Sequence, residues 1–367
     1  MTGPATLLAR LRLALTDPAR RDRTVLVLLV VYWVVWTAYG TMAKAPQGLH
    51  PDMTEIVAWS RDLALGYVKH PPLAAWLVAG WFAVFPLAEW SYYALAMLMP
   101  VAALWIAWRL MADTLHAEKR VAGLALLTLI PFFNFHALKY NVNTVLMPLW
   151  AATALWFLRS YRTRAPGAAA LAGLAAALSM YGKYWSVFLI AGLVVAALVD
   201  RRRAAYFRSP APWITVAVGL LVMAPHLSWL IDSHFAPFTY AMTVHGEKSL
   251  AVAARSTLGY LGGSLGYVAL PLVIVLAMVR RPRLLAEAAW PHDDDRRLVA
   301  AAFWAPLLLP VVAAIAGRTD ITSLWSMSAW TLLPVLLLSP PTITLRPIDT
   351  ERLLGLAVAV PLVMLLA

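Results

Sequence analysis

Residues 52–73 read DMTEIVAWSRDLALGYVKHPPL and form a polar insert in a chain that is otherwise mostly apolar. The insert starts with two carboxylates, Asp52 and Glu55, and ends with Lys69 and His70 in front of two prolines. Carboxylates accept and donate protons, and a lysine beside a histidine binds anions. A chain that only had to reside in lipid would gain nothing from these groups, so we predict that the insert carries chemistry.

The composition predicts an all-α polytopic membrane protein. Of the 367 residues, 62% are hydrophobic and 13% are charged, and the mean hydropathy is +0.72. Soluble domains are about half apolar and about a quarter charged, so the apolar excess must face lipid or a large buried bundle. The chain has no cysteine, which excludes disulfides and thiolate nucleophiles. The net charge of +12 comes from short Arg clusters between apolar runs rather than from a basic face, so we expect no nucleic-acid partner.

Apolar runs recur along the chain and predict a bundle of about 11 transmembrane helices, because about 20 residues cross a bilayer core. We place them at residues 24–42, 91–112, 121–136, 143–158, 168–182, 184–199, 211–231, 256–279, 298–316, 323–340 and 353–367. The first run follows an Arg-rich start and lacks a small-residue cleavage site, so we expect it to be retained as the first span.

The positive charges favour one orientation. With the N-terminus in the cytoplasm, most of the 30 Lys and Arg residues fall in cytoplasmic segments, as the positive-inside rule requires. These segments are the N-terminal stretch and residues 109–120, 159–164, 201–208, 280–297 and 346–352. The other basic residues are Lys44, Arg61, Lys69, Lys139, Lys183, Lys248, Arg255 and Arg318. The polar insert then faces outward, and the excess of Arg over Lys with abundant Ala indicates a GC-rich bacterium and its inner membrane.

Residues 168–199 test this topology. They form an apolar run with Arg clusters on both sides, and a single helix over roughly 32 residues would be about 48 Å long, too long for one crossing. We therefore predict a hairpin whose apex is the sequence YGKY at residues 181–184. This places Lys183 near the outer surface, where a lysine needs a wet cavity or an anion.

The first outer loop, residues 43–90, is too long to lack structure of its own. We predict a helix over 52–65, with Asp52, Glu55, Trp59 and Asp62 on one face. A second helix over 73–86 is short for a span, so we place it in the outer interface with Trp76, Trp81 and Phe82 as interfacial residues. At the other face, the cytoplasmic loop 280–297 is expected to be a solvated connector with an acidic surface run at residues 293–295.

The topology collects Asp52, Glu55, Lys69, His70, Lys139 and Lys183 on the outer side. Two carboxylates one helical turn apart suit proton transfer, and lysines near apolar surface suit a phosphate with a lipid tail.

Structural explanations compete with each of these assignments. Asp52 with Glu55 fits a helix capping box, and Lys69 with His70 fits a pair that reaches from lipid to the interface. Asn141 and Asn143 could bind sugar hydroxyls or cap the following helix. No metal is required, although His50 and Asp52 with a further ligand could hold a divalent ion.

The segment LxLGYxxHPPL at residues 63–73, together with YGKY at 181–184, resembles glycosyltransferase family 39 and its ArnT-like relatives, membrane enzymes of the GT-C fold. The resemblance covers residues from about 24 to 340. It implies a polyprenyl-phosphate sugar donor, an acceptor reached from the outer leaflet and an inverting displacement, with Asp52 as the general base.

The chain departs from the family pattern at positions where relatives have acidic residues. Relatives usually have Glu directly after the base, where this chain has Met53, and its acid follows at Glu55. Many relatives have a second Asp where this chain has Asn143. Relatives often continue into a soluble outer domain, whereas this chain ends in an apolar run, so we expect residues 1–367 to be a single GT-C domain in which that part is absent or truncated.

We therefore expect a membrane glycosyltransferase, either a hexosyl- or a pentosyltransferase, that acts on a lipid or glycan acceptor among membrane lipids. Asp52 would be the base, assisted by Glu55. Donor-phosphate binding is assigned to Lys183, Lys69, His70 and Lys139, and sugar or acceptor binding to Tyr67, Asn143 and Tyr184. The alternatives are a transporter or flippase of a lipid-linked anion and a non-catalytic envelope-assembly subunit. Inverted repeats and midplane charges typical of transporters are not evident, which favours the enzyme.

Overall fold

The computed structural model describes residues 4–279 and 283–366, and this part of the chain is helical without a strand. The α-helices are α1 (Pro4–Thr16), α2 (Arg21–Lys44), α3 (Pro51–Trp59), α4 (Leu73–Phe82), α5 (Glu89–Met111), α6 (Glu118–Thr128), α7 (Val142–Thr163), α8 (Pro166–Gly182), α9 (Val187–Val199), α10 (Arg203–Phe207), α11 (Ala211–Asp232), α12 (Ala236–His245), α13 (Leu250–Val279), α14 (Arg283–Ala289), α15 (Asp294–Gly317), α16 (Leu333–Leu338) and α17 (Pro347–Leu366). Short 3₁₀ helices occupy Pro131–Phe133, Phe135–Leu138, Tyr184–Ser186 and Ser323–Leu332.

Helices occupy most of each predicted membrane span; Ala367, at the end of the last one, lies outside the described residues. Among the described residues, α2, α5, α11, α13 and α15 are long and apolar enough to cross a membrane on their own. The predicted span over 121–136 is not one continuous helix. There, α6 ends at Thr128 and the chain bends by 77° into the 3₁₀ turns that begin at Pro131. Proline has no N–H for the helical ladder, which explains the break at this position.

The predicted hairpin over 168–199 is present, and α7 packs along both of its arms. Near the apex, Trp150 on α7 donates a hydrogen bond to Ser186 over 3.0 Å, and Thr153 lies 3.2 Å from Ser179. At the far end, the Tyr161 hydroxyl donates to the carbonyl oxygen of Ala197 over 3.5 Å. The arms therefore run in opposite directions beside α7, and Lys183 is at the turn.

Ion pairs join the predicted cytoplasmic segments to one another. The cross-links are Arg12–Glu118 (2.6 Å), Arg12–Glu351 (2.9 Å), Arg109–Asp22 (3.2 Å), Arg159–Asp113 (2.8 Å), Arg162–Asp295 (3.6 Å) and Arg202–Asp295 (2.6 Å). All of these segments therefore lie at one end of the bundle, here called the Arg-rich end. The lysines and carboxylates of the polar insert lie at the opposite end, here called the site end.

The loop 280–297, which the sequence predicts to be a solvated cytoplasmic connector, makes specific contacts with the bundle; its residues 280–282 lie outside the described residues. Asp293 caps α15 by accepting from the backbone N–H of Arg296 over 2.9 Å. Asp295 pairs with arginines from two other segments. The acidic run therefore fixes the loop to the bundle, because each carboxylate has a specific partner.

The first outer loop, residues 43–90, packs onto the bundle through its two short helices, α3 and α4. The predicted helix over 52–65 is correct only in part, because α3 ends at Trp59 and Asp62 lies beyond it. Helix α4 ends at Phe82 and buries Ala74, whose carbonyl oxygen accepts from the Tyr140 hydroxyl over 3.0 Å. This contact holds α4 against the residue before Asn141, and Asn141 at the start of α7 lies 3.4 Å from Asp52 at the start of α3, which is where the site forms.

Candidate functional site

A cavity of about 600 Å³ opens at the site end. Its polar lining includes Asp52, Glu55, Lys69, His70, Asn141, Asn143, Lys183, Tyr184, Tyr240, His245, Asp320 and Trp325. An apolar portion is formed by Val187, Phe188, Pro310, Ala313 and Ala314. The sequence-predicted residues therefore converge on one space, apart from Lys139 and Tyr67, which are not part of the lining.

Asp52 is not the cap of its helix. The imidazole Nδ1 of His50 caps α3 by accepting from the Asp52 backbone N–H over 3.1 Å, and Pro51 occupies the first helical position. This arrangement suits a helix start because proline needs no donor partner there. The capping-box interpretation of Asp52 with Glu55 is therefore wrong, and the Asp52 carboxylate is free for other contacts.

The Asp52 carboxylate binds two groups from the start of α7 and the turn before it. Its Oδ2 lies 2.9 Å from Nζ of Lys139 and 3.4 Å from Nδ2 of Asn141. Burial acts to raise the pKa of Asp52, but the hydrogen bond and charge of Lys139 outweigh burial and lower it. Asp52 is therefore ionised at neutral pH, and the polar contact of its other oxygen, Oδ1, among the described residues is with His50, at 3.9 Å.

Glu55 pairs with Lys69 rather than with Asp52. The Lys69 ammonium lies 2.8 Å from Oε2 of Glu55, and both side chains are about one third exposed. Burial acts to lower the pKa of Lys69, and the bond to Glu55 outweighs it and raises the pKa. Glu55 thus neutralises a lysine of the insert. This geometry does not favour the predicted role of Glu55 as an assistant to Asp52 in proton transfer.

His70 lines the cavity as a neutral imidazole. Burial, followed by the charges of Lys183 and Lys69, lowers the pKa of His70 to about 3. Its ring lies edge-on to Trp59, with centroids 6.1 Å apart. A neutral ring offers one N–H donor, so His70 can bond to a phosphate or a sugar but adds no positive charge.

Tyr67 supports the insert instead of lining the cavity. Its hydroxyl donates to the backbone carbonyl oxygens of Trp59 (2.9 Å) and Asp62 (2.6 Å), and its ring stacks on Trp59. The adjacent Gly66 lies against Trp229, and a Cβ at this glycine would overlap the indole ring. The GY pair of the motif therefore holds the loop in place, and sugar binding by Tyr67 is not favoured.

Lys183 lies in the turn between the hairpin arms and lines the cavity next to the start of α7. Its ammonium donates to Oδ1 of Asn143 over 2.9 Å and lies 4.5 Å from the ring centroid of Trp325. Burial lowers the pKa of Lys183 to about 7, against a smaller opposite effect of Asp52. In the described part of the chain its polar partner is a neutral amide rather than a carboxylate, so this cation is available to an anion.

Tyr184 contributes its ring to the cavity, while its hydroxyl bonds to a buried histidine that the sequence patterns do not single out. The hydroxyl lies 2.9 Å from Nε2 of His226, and Nδ1 of that ring lies 2.7 Å from the carbonyl oxygen of Leu65. A carbonyl oxygen only accepts, so Nδ1 carries the proton and the Tyr184 hydroxyl donates to Nε2 of the neutral ring. His226 thus connects the hairpin turn to the loop of the motif.

Asn141 and Asn143 have different roles. Asn141 caps α7 by accepting from the backbone N–H groups of Asn143 (2.9 Å) and Thr144 (3.2 Å), so its capping interpretation is correct. Asn143 faces the cavity and accepts from Lys183. No three His, Asp or Glu side chains converge as a metal site within the described residues.

A further pair, His245 and Asp320, also lines the cavity and was not expected. Nδ1 of His245 lies 2.9 Å from Oδ1 of Asp320. Only long-range packing brings α12 next to the loop after α15, so no local sequence signal identifies the pair.

Comparison with known proteins agrees with this architecture. The family described as dolichyl-phosphate-mannose-protein mannosyltransferase matches residues 69–229. The lipopolysaccharide core galacturonosyltransferase RgtB of Rhizobium johnstonii is 28% identical over 336 residues, covering 88% of this chain and 66% of the relative. The lipid A galacturonosyltransferase RgtD of the same organism is 23% identical over 304 residues, covering 78% of this chain and 60% of the relative.

Two solved structures share the fold. ArnT from Cupriavidus metallidurans bound to undecaprenyl phosphate matches with a TM-score of 0.68 at 17% identity, over 91% of this chain and 63% of that protein. The apo state of ArnT matches with a TM-score of 0.67 at 16% identity, over 92% and 62%. The chain thus spans less than two thirds of the length of these relatives. The resemblance indicated by residues 52–73 is confirmed: this all-α membrane bundle is similar in fold and sequence to the ArnT-like glycosyltransferases of the GT-C type.

Proposed function

We propose that the protein transfers a sugar from a polyprenyl-phosphate donor to a glycolipid or glycan acceptor, with inversion at the anomeric carbon. The observation that carries this proposal is the shared cavity, in which the ionised Asp52 and the cation Lys183 come together from distant segments. One group suits proton removal and the other suits a phosphate, and a glycosyl transfer from a lipid phosphate needs both.

The cavity also suits a lipid-linked donor by its shape and polarity. Lys183 would bind the phosphate, and the apolar wall near Phe188 and Pro310 would receive the first isoprene units. His70 and Lys69 lie on the polar side, where they would contact phosphate or sugar oxygens. Lys139 acts on Asp52 rather than on the donor in this arrangement.

In the proposed reaction an acceptor hydroxyl oxygen attacks the anomeric carbon from the face opposite the phosphate. The bond between that carbon and the phosphate oxygen breaks, and its electron pair leaves with the phosphate. Oδ1 of Asp52 takes the hydroxyl proton, because Oδ2 is held by Lys139. Lys183 stabilises the negative charge that grows on the departing phosphate, and it is placed before the reaction begins, which keeps the reorganisation cost small.

The relatives guide the choice of substrates. RgtB and RgtD are named as galacturonosyltransferases of the lipopolysaccharide core and of lipid A. A polyprenyl-phosphate uronic acid and a lipopolysaccharide core or lipid A acceptor are therefore the first pair to test. We further propose that the site end faces the periplasm and that the Arg-rich end faces the cytoplasm.

The test uses the purified chain in lipid nanodiscs with a radiolabelled polyprenyl-phosphate galacturonic acid and lipid A or core acceptor. We expect label in the acceptor with the unmodified chain and at least about a hundredfold less with Asp52→Asn, the range for loss of a general base. Asp62→Asn is the matched control, because Asp62 is exposed and lies outside the cavity lining. Transfer by Asp52→Asn at the unmodified rate would remove Asp52 as the base.

A further inference from the structure

One wall of the cavity carries a histidine–carboxylate pair that the reaction above does not use. His245 ends α12, Asp320 follows α15, and Nδ1 and Oδ1 of the pair are 2.9 Å apart. The backbone holds the same residues together, because the Asp320 N–H donates to the His245 carbonyl oxygen over 3.1 Å. The side chains are 37% and 40% exposed, so the pair is both fixed in position and accessible to a ligand.

Trp325 connects this pair to the proposed phosphate site. The His245 ring meets the indole edge-on at a centroid distance of 5.1 Å, and Nζ of Lys183 lies 4.5 Å from the centroid of the same indole. All of these residues line the one cavity. A phosphate bound by Lys183 would therefore lie beside the same indole that His245 contacts.

Asp320 determines which atom of His245 is available. A carboxylate only accepts hydrogen bonds, so Nδ1 of His245 carries a proton. Nε2 has no hydrogen-bond partner among the described residues. A protonated imidazole in this position has one N–H left to donate into the cavity.

We propose, on the basis of the transfer reaction above, that His245 is a second ligand of the donor phosphate and the proton donor to the departing phosphate, with Asp320 as its positioning residue. When the bond from the anomeric carbon to the phosphate oxygen breaks, the electron pair stays on that oxygen, which takes the proton from Nε2. The acceptor proton goes to Asp52 in the same turnover. Asp52 then releases its proton to water and His245 takes one from water, which restores the starting state.

Substitutions at His245 separate hydrogen bonding from proton transfer. Glutamine keeps an N–H donor but releases no proton, whereas phenylalanine keeps the ring against Trp325 and removes the donor. His116→Gln is the matched control, because His116 is an exposed histidine at the Arg-rich end. Asp320→Asn removes the charge of the positioning residue but keeps an acceptor for Nδ1, and Asp320→Glu restores the charge.

The first measurement is binding of undecaprenyl phosphate in nanodiscs, with undecaprenol as the reference that lacks the phosphate. We expect His245→Phe to weaken binding of the phosphate by about tenfold or more and binding of undecaprenol by less than about twofold, because a hydrogen bond to a charged group is lost. We expect His245→Gln to bind within about threefold of the unmodified chain. Equal binding of undecaprenyl phosphate by His245→Phe and the unmodified chain would overturn the phosphate contact.

The second measurement is turnover with the labelled donor. His245→Gln is expected to lower kcat by about a hundredfold with little change in KM for the donor, as loss of a proton donor requires. Asp320→Asn should lower kcat by about tenfold, and Asp320→Glu should recover most of it, which a purely structural role would not produce. Turnover of His245→Gln at the unmodified rate would overturn the proton transfer. An inactive unmodified chain would contradict the proposed transfer reaction. The binding measurement does not depend on transfer, so it would still show whether His245 contacts the phosphate.

Discussion

The ammonium group of Lys139 lies 2.9 Å from Oδ2 of Asp52, and this contact couples the turn before α7 to the start of α3. Lys139 is outside the cavity lining, so it contacts the carboxylate from outside the cavity. The contact keeps Oδ2 occupied and the group ionised, while Oδ1 makes no hydrogen bond within the described residues. Lys139 thus acts through Asp52, although the sequence places it among the donor-binding lysines.

Replacing Lys139 by methionine should move the acidic limb of the rate profile to higher pH. Asp52 must be ionised to accept a proton, and Lys139 lowers its pKa against the effect of burial. Without Lys139, burial is less opposed, the pKa rises and activity is lost earlier as the pH falls. The measurement is the pH dependence of kcat/KM, with Lys139→Arg as the variant that keeps the charge. An acidic limb that stays at the same pH in Lys139→Met would show that the contact does not control Asp52.

The affinity for the anionic donor should fall as the pH rises above about 7, the pKa to which burial lowers Lys183. Below that pH the Lys183 side chain is protonated and binds the phosphate. Above it a growing fraction of the side chain is neutral. A bound phosphate stabilises the protonated form, so the loss of affinity moves to higher pH. Lys183→Arg should flatten this dependence because arginine stays protonated. The measurement is the Kd of the polyprenyl-phosphate sugar at pH 6 and pH 9, since this phosphodiester keeps one charge throughout.

Lys183→Met provides the matched loss of charge. We expect at least about tenfold weaker binding of the phosphodiester, the usual effect of removing a hydrogen bond to a charged group. An unchanged Kd in Lys183→Met would exclude Lys183 from the phosphate site.

Tyr67→Phe should lower stability without altering the kinetics of the folded enzyme. Within the described part of the chain the hydroxyl bonds only to the carbonyl oxygens of Trp59 and Asp62, so its loss costs about 1 kcal/mol and a few degrees in Tm. The measurement compares Tm and KM for the donor in the same preparation. An increase in KM at unchanged Tm would show that Tyr67 reaches the substrate after all.

Gly173→Ala should destabilise the bundle, whereas Gly167→Ala on the same helix should not. A Cβ at Gly173 would overlap the carbonyl oxygen of Thr215 on α11, but a Cβ at Gly167 meets nothing within 4 Å. Overpacking of this kind costs about 1–3 kcal/mol, and small residues are what allow membrane helices to approach closely. Thermal unfolding in detergent measures both variants. Equal melting temperatures would show that α8 and α11 separate at little cost.

Much of the fold could be predicted from the sequence, because hydropathy and charge act locally. Apolar runs located the helices, and the length of the run over 168–199 with arginines on both sides required a hairpin. The 77° bend at Pro131 was missed, because neighbouring apolar residues conceal a break inside a run of membrane-spanning length. The early end of α3 at Trp59 was missed because the polar residues beyond it continue the helical spacing by chance.

By itself the sequence determined that the protein is an all-α membrane bundle with carboxylates and lysines near one end, since these features depend on residue type and order alone. Only the tertiary structure decided which charges are partners: Asp52 with Lys139, Glu55 with Lys69, and Lys183 with a neutral Asn143. The same packing brought His245 to Asp320. The physical reason is that an ion pair or hydrogen bond needs atoms within about 3–4 Å. Only the packing of helices that are distant in the sequence sets distances of that size.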